Sequence, residues 1–255
     1  MKIVKFIVSF LFFLGILVLM VWSIIKSKEQ TCNQISILIN SHKNTELLTE
    51  SDVLHILQLN KLEWKGKAIK EIDPASIHKI LAQENYIKTV EKVHFIGSKL
   101  QIEVTLFDIL LEVQPKSGEK FLLDVNGTYL PYSPKAENGV IVAQGTILYN
   151  FKKKETINQG DHLLSEIFTI ATLIREDTFY SALFKRLSVN DKQELILHPT
   201  DGNLPVLFGV AKDAPNKLKS LKYMYDEVLP YMDEGKYAQL DVRFKNRIVA
   251  TKSKT

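Results

Sequence analysis

Hydrophobic positions run unbroken near the start of the chain and alternate with polar ones after it. Residues 6–25 read FIVSFLFFLGILVLMVWSII without a charge. About twenty helical residues span roughly 30 Å, the hydrocarbon thickness of a bilayer. The run predicts a single N-terminal transmembrane helix, with Phe6, Ile7, Leu14, Leu19, Trp22 and Ile25 in the anchor. Trp22 lies near one end, where an indole suits the interface. A cleaved secretory signal would have a shorter apolar core and a small-x-small exit, and Val21-Trp22-Ser23-Ile24-Ile25-Lys26 offers none. Lys2 and Lys5 precede the run and Lys26 and Lys28 follow it, so flanking charge is nearly balanced. The working mass follows the anchor, and the commoner arrangement puts the N-terminus in the cytoplasm and that mass outside it.

After Lys28 the pattern changes period. Ile35, Ile37 and Ile39 alternate as a half-buried strand does. In LTESDVLHILQLN, Thr49 and Asp52 have the spacing of a helix N-cap, and Val53, Leu54, Ile56 and Leu57 share an apolar face. Asp73-Pro74 opens a second helix with proline at its first position, and Ile72 and Ile77 are placed for a hydrophobic staple. Two alternating strands follow: Val90, Val93 and Phe95, a turn at Ile96-Gly97-Ser98-Lys99, then Leu100, Ile102, Val104 and Leu106. The order is β-α-α-β-β, a small sheet with helices over one face and open edges.

The second half predicts an Asn126-Gly127 hairpin inside FLLDVNGTYLPYSP, the strongest short hairpin signal. A short strand at Val140–Val142 precedes helices over Leu163–Ile174 and Asp177–Phe184. Strands then fall around Leu187–Val189, Leu195–Leu197 and Pro205–Phe208. A long helix is expected from Asn216 to Tyr231, and LDVRFKNRIVA, Leu240 to Ala250, reads as one closing strand.

The β-α-α-β-β unit after an anchor resembles a POTRA domain. Over essentially its whole length the chain resembles the FtsQ/DivIB family of bacterial cell-division proteins. The blocks that carry the likeness are LLDVNGTYLP, HPTDG followed by VLFG, NKLKSLKYMY and the final LDVRFKNRIVA. One departure is Leu106-Phe107-Asp108, where many relatives leave the POTRA unit through an Arg-x-Pro-like junction. The expected fold is α+β: a tail and anchor over 1–28, a POTRA-like domain over 29–106, an FtsQ-type β domain with a largely antiparallel sheet over 107–250, and a basic tail over 251–255. The resemblance implies a bitopic, non-enzymatic scaffold at the septum. It would bind FtsB/FtsL-like division proteins by strand addition and help regulate septal peptidoglycan synthesis. The matching partner-binding positions are Arg243, Phe244, Lys245, Asn246, Arg247 and Ile248, where basic residues alternate with mostly apolar ones. A POTRA-containing secretion or outer-membrane assembly factor is the alternative.

Composition adds exclusions. Hydrophobic residues make up 45% and charged residues 24%, which is globular, and a net charge of +4 spread among acidic residues does not point to nucleic acid. Lys152, Lys153 and Lys154 read as a solvated loop. The lone Cys32 allows no intrachain disulfide, and Glu29-Gln30-Thr31 before it is not a lipid-modification site. His42, His55, His78, His94, His162 and His198 are dispersed without metal-ligand spacing, and no nucleophile elbow, Walker loop or dinucleotide fingerprint occurs. Asp124-Val125-Asn126-Gly127 begins like a calcium loop but lacks the later acidic ligands. No cofactor, metal or small-molecule substrate is therefore expected.

Overall fold

The computed structural model describes residues 12–23, 30–41, 47–136, 139–149, 154–157, 162–202, 204–232, 235–245 and 247–253. Residues 12–23 form a helix, α1. Its apolar side chains are exposed, Phe12 by 67% and Leu17 by 60%. At 1.5 Å per residue it is about 18 Å long. No helix among the described residues is long and apolar enough to cross a membrane. Phe6, Ile7 and Ile25 of the expected anchor lie outside the described residues.

The chain divides into two compact units, one of Met1–Asn40 and Leu48–Leu106, the other of Ser41–Leu47 and Phe107–Thr255. The first contains β1 (Gln34–Asn40), α2 (Glu50–Leu59), α3 (Pro74–Ala82), β2 (Ile87–Ile96) and β3 (Lys99–Leu106). This is the β-α-α-β-β order read from the hydrophobic pattern. Thr49 and Asp52 form a reciprocal capping box, with the Thr49 N–H donating to Asp52 at 2.7 Å. Asp73 accepts from the Ala75 and Ser76 N–H groups, each at 3.0 Å, with Pro74 in the first turn. These contacts satisfy donors that a helix start leaves unpaired. The strands lie in the order β1-β3-β2, parallel between β1 and β3 and antiparallel between β2 and β3. Ile96 pairs with Lys99, so Gly97-Ser98 makes the turn, and Gly97 takes a φ of 59° that a side chain would resist. Val53, Leu57, Ile77, Leu81, Leu100 and Ile102 are fully buried between sheet and helices.

The second unit holds a nine-stranded sheet, β12-β11-β10-β9-β8-β7-β4-β5-β6. The strands are β4 (Ile109–Pro115), β5 (Phe121–Asp124), β6 (Tyr129–Pro131), β7 (Ile141–Gly145), β8 (Phe184–Val189), β9 (Leu195–Pro199), β10 (Val206–Gly209), β11 (Tyr237–Asp241) and β12 (Val249–Lys252). Alternate strand residues such as Leu187, Leu197, Phe208 and Leu240 join one core with Leu164, Ile167 and Ile170 of α4 (His162–Glu176) and Leu218 and Leu221 of α6 (Ala214–Tyr223). The short α5 (Thr178–Leu183) starts on Asp177, whose carboxylate accepts from Phe179 N–H at 2.8 Å. Arg175 at the end of α4 grips Asp108 with two hydrogen bonds of 2.7 and 2.8 Å, which ties the entry of this unit to its main helix.

The Asn126-Gly127 turn joins β5 to β6 as the sequence predicts: Asp124 accepts from the N–H groups of Asn126 and Thr128 at 2.9 and 2.7 Å. The sheet is mixed with antiparallel pairs in the majority; β4–β7, β7–β8 and β10–β11 run parallel. Two expectations need correction. The helix expected over Asn216–Tyr231 is α-helical only to Tyr223; it widens to a π turn at Met224–Val228 and tightens at Leu229–Tyr231. Pro230 has no N–H and crowds the carbonyl four residues back, so the α ladder cannot continue through it. Leu240–Ala250 is not one strand but two, β11 and β12, joined by residues 242–248.

Candidate partner-binding hairpin

The closing hairpin begins where β11 leaves β10. Leu240 and Val242 donate their N–H groups to Pro205 and Leu207 at 2.9 and 3.1 Å. Along a strand these groups alternate sides, so Gln239 and Asp241 present theirs to β12. Their partners there are Thr251 and Val249. The N–H and C=O groups of Ala250 and Lys252 therefore face away from the sheet. Beyond β12 no strand follows among the described residues.

What reverses the chain between β11 and β12 is a carboxylate. Asp241 accepts from the Arg243 backbone N–H at 3.0 Å and from its guanidinium at 2.6, 3.0 and 3.2 Å. The same guanidinium reaches Glu194, ahead of β9, at 2.5 Å. The Arg243 stem crosses β10 at Gly209, where a Cβ would stand 2.8 Å from the Arg243 Cγ and where φ is +76°. Phe244 is exposed by 42%, and the Arg247 guanidinium lies over its ring at 5.0 Å. Ile248 packs on the edge of the core. Between this loop and the start of α6 lies a groove of about 250 Å3, bordered by Val210, Lys212, Lys217, Phe244, Lys245 and Ile248. The Lys217 ammonium donates to the Phe208 and Val210 carbonyls at 3.0 and 2.8 Å, which fixes α6 on β10.

Residues 110–251 match the model of a family described as FtsQ/DivIB, C-terminal related. The chain belongs to that family. Residues 30–105 match a POTRA-like domain. Among curated proteins, none matches the chain.

In this FtsQ/DivIB-related domain the hairpin's electrostatics follow from its contacts. Burial pushes the Asp241 carboxyl up, but the hydrogen bonds and charge of Arg243 outweigh it and hold it below its usual range. Hydrogen bonds from Asn190 and then Arg243 lower Glu194. Arg243 is raised in turn by Asp241 and then Glu194. Burial lowers the Lys217 ammonium, with nearby carboxylates opposing.

The six positions singled out by the resemblance thus divide. Arg243 is engaged inside the fold, Phe244 and Lys245 are presented to solvent, Arg247 covers Phe244, and Ile248 is a core-edge residue. Asn246 lies outside the described residues. Sequence reasoning missed Asp241, Glu194 and Gly209 as the parts that shape the loop. An acid two residues before an arginine, and a glycine closing VLFG, were the available signals. It also missed that the free edge is Val249–Lys252. Among the described residues, no group of three or more His, Cys, Asp or Glu could hold a metal ion.

Proposed function

We propose that this chain is a scaffold of the bacterial division machinery, without catalysis of its own, which holds FtsB/FtsL-like partners on its C-terminal hairpin and so helps regulate septal peptidoglycan synthesis. The supporting observation is the unpaired outer side of β12, at the end of a domain that belongs to the FtsQ/DivIB-related family. A partner segment adding there would gain main-chain hydrogen bonds to Ala250 and Lys252, while side chains reading Phe244 and the adjoining groove would set specificity. In this reading α1 belongs to a single membrane-spanning anchor of the inner membrane. The N-terminus is cytoplasmic, and the POTRA-like and β domains lie outside the cytoplasm at the septum.

The test is cross-linking in cells of the full chain with a photoreactive amino acid at Phe244 or at Lys252, with Lys88 on the POTRA-like unit for comparison. Capture of small single-pass coiled-coil proteins at the hairpin but not at Lys88 supports the scaffold. Capture of outer-membrane or secreted clients would replace it with an assembly factor, a reading the POTRA-like match keeps in view. No capture at either hairpin position would reject the docking strand.

A further inference from the structure

The face of the large sheet away from its helices carries a second basic feature. Val142, Arg186 and His198 stand in register across β7, β8 and β9. With Val140, Lys185 and Pro199 they line a cleft of about 640 Å3. Among the described residues, no acidic side chain lines it. Arg175 and Arg243 are bound to carboxylates and Arg247 covers Phe244. Lys185 and Arg186, by contrast, have no ion-pair partner among the described residues. His198 is half-buried, and its Nε2 stands 2.6 Å from the Ser188 hydroxyl. Its Nδ1 has no hydrogen-bond partner among the described residues. Burial, then the positive charge of Arg186, lowers its pKa, so the ring is neutral at neutral pH. Where Ser188 is the donor of that contact, the ring proton sits on Nδ1 and can be donated from there; where the ring donates, Nδ1 accepts.

The cleft calls for an anion. It is also much larger than a single oxyanion, and Val140, Val142 and Pro199 give it an apolar floor. A guanidinium matches a carboxylate with two parallel hydrogen bonds. The strands below it are interior, with both neighbours in place, so nothing can dock here by strand addition. Recognition must run through side chains lying across the sheet. We infer that this cleft is a second docking site, distinct from the β12 edge, for an acidic peptide segment of a partner protein. Arg186 and Lys185 pair with its carboxylates, and its aliphatic side chains cover Val142 and Pro199.

The full chain in non-ionic detergent, titrated into a short fluorescein-labelled peptide of glutamate, leucine and serine, tests this by anisotropy. Lys185→Gln/Arg186→Gln should weaken binding by about tenfold or more, as loss of two charge-assisted contacts implies. The charge-matched variant Lys65→Gln/Lys70→Gln, at two exposed positions on the POTRA-like unit, should stay within about twofold. Circular dichroism melts of both variants show that each is folded. If the two variants weaken binding equally, the attraction is diffuse charge and the site is overturned. Loss only in the Lys65→Gln/Lys70→Gln variant, or no binding by the unaltered chain, overturns it as well. Displacement of the peptide by equimolar inorganic phosphate or phosphatidylglycerol vesicles would make this a phosphate or lipid site and overturn the peptide assignment.

Discussion

Arg243 and Phe244 are adjacent in sequence and do different work. The Arg243 guanidinium is divided between Asp241 and Glu194, so its removal leaves a nearly buried carboxylate, Asp241, without its cation. Such charge-assisted bonds contribute about 1.5–3 kcal/mol each. The Arg243 side chain is 37% exposed and screened by solvent, so Arg243→Ala should cost only about 1–2 kcal/mol in urea denaturation. The pH dependence has a definite sign. Asp241 and Glu194 are both depressed in the folded state. Their contribution is therefore fully present above the ordinary carboxylate range and is lost as pH falls through their folded values. Between neutral pH and about pH 3, the native chain should lose more stability than Arg243→Ala does; identical acid slopes would show that the pair contributes nothing. Phe244 touches solvent, so Phe244→Ala should change stability by no more than about 0.5 kcal/mol while reducing cross-linking of partners at Lys252. A melt lowered by several degrees would instead make Phe244 a core residue.

At the scale of elements, the edge of β12 makes the sharpest demand. Ala250 directs its N–H outward, so proline there removes no bond to β11 and is tolerated as edge-strand prolines are. It does take away the donor an incoming strand would use. Ala250→Pro should preserve the far-ultraviolet spectrum and abolish partner capture, and retention of capture would mean that partners read side chains alone. This strand also marks where the hydrophobic pattern stops being informative. Helix starts and tight turns were legible because their chemistry is local: Thr49 with Asp52, Asp73 with Pro74, Asn126 with Gly127. β4 was not legible, because it lies between β5 and β7 and its residues 109–113 are buried on both faces, leaving no alternation to see. The break inside LDVRFKNRIVA was hidden for a different reason. Asp241, Arg243 and Glu194 turn the chain through a contact that spans 49 positions in sequence. Parallel pairs such as β10–β11 need a long crossover, here through α6, and periodicity says nothing about which strands it joins.

For the whole molecule the open demand is α1. A helix whose Phe12, Leu17 and Trp22 are all exposed cannot be left in water beside a folded domain, since soluble proteins rarely show contiguous apolar surface beyond a few hundred Å2. In the proposed reading that helix belongs to the charge-free sequence run of residues 6–25, which as a helix would match about the thickness of a bilayer. Each Leu, Ile, Val or Phe at the centre of such a span favours insertion by about 0.3–0.6 kcal/mol, so the sum outweighs its few polar residues. Among the described residues, the sheet domain's core draws on residues from Leu110 to Ala250, and the POTRA-like unit buries its own side chains between sheet and helices. Neither core uses the described residues of α1, 12–23. Removing residues 1–28 should therefore move the protein from the membrane pellet to the soluble fraction and leave the thermal transitions of what remains within a few degrees of their original values. It should also abolish septal localisation, since partners that are themselves anchored meet a tethered scaffold at a far higher effective concentration than a diffusing one. A truncated chain that stays in the pellet after an alkaline wash would show that some other surface holds it to the membrane.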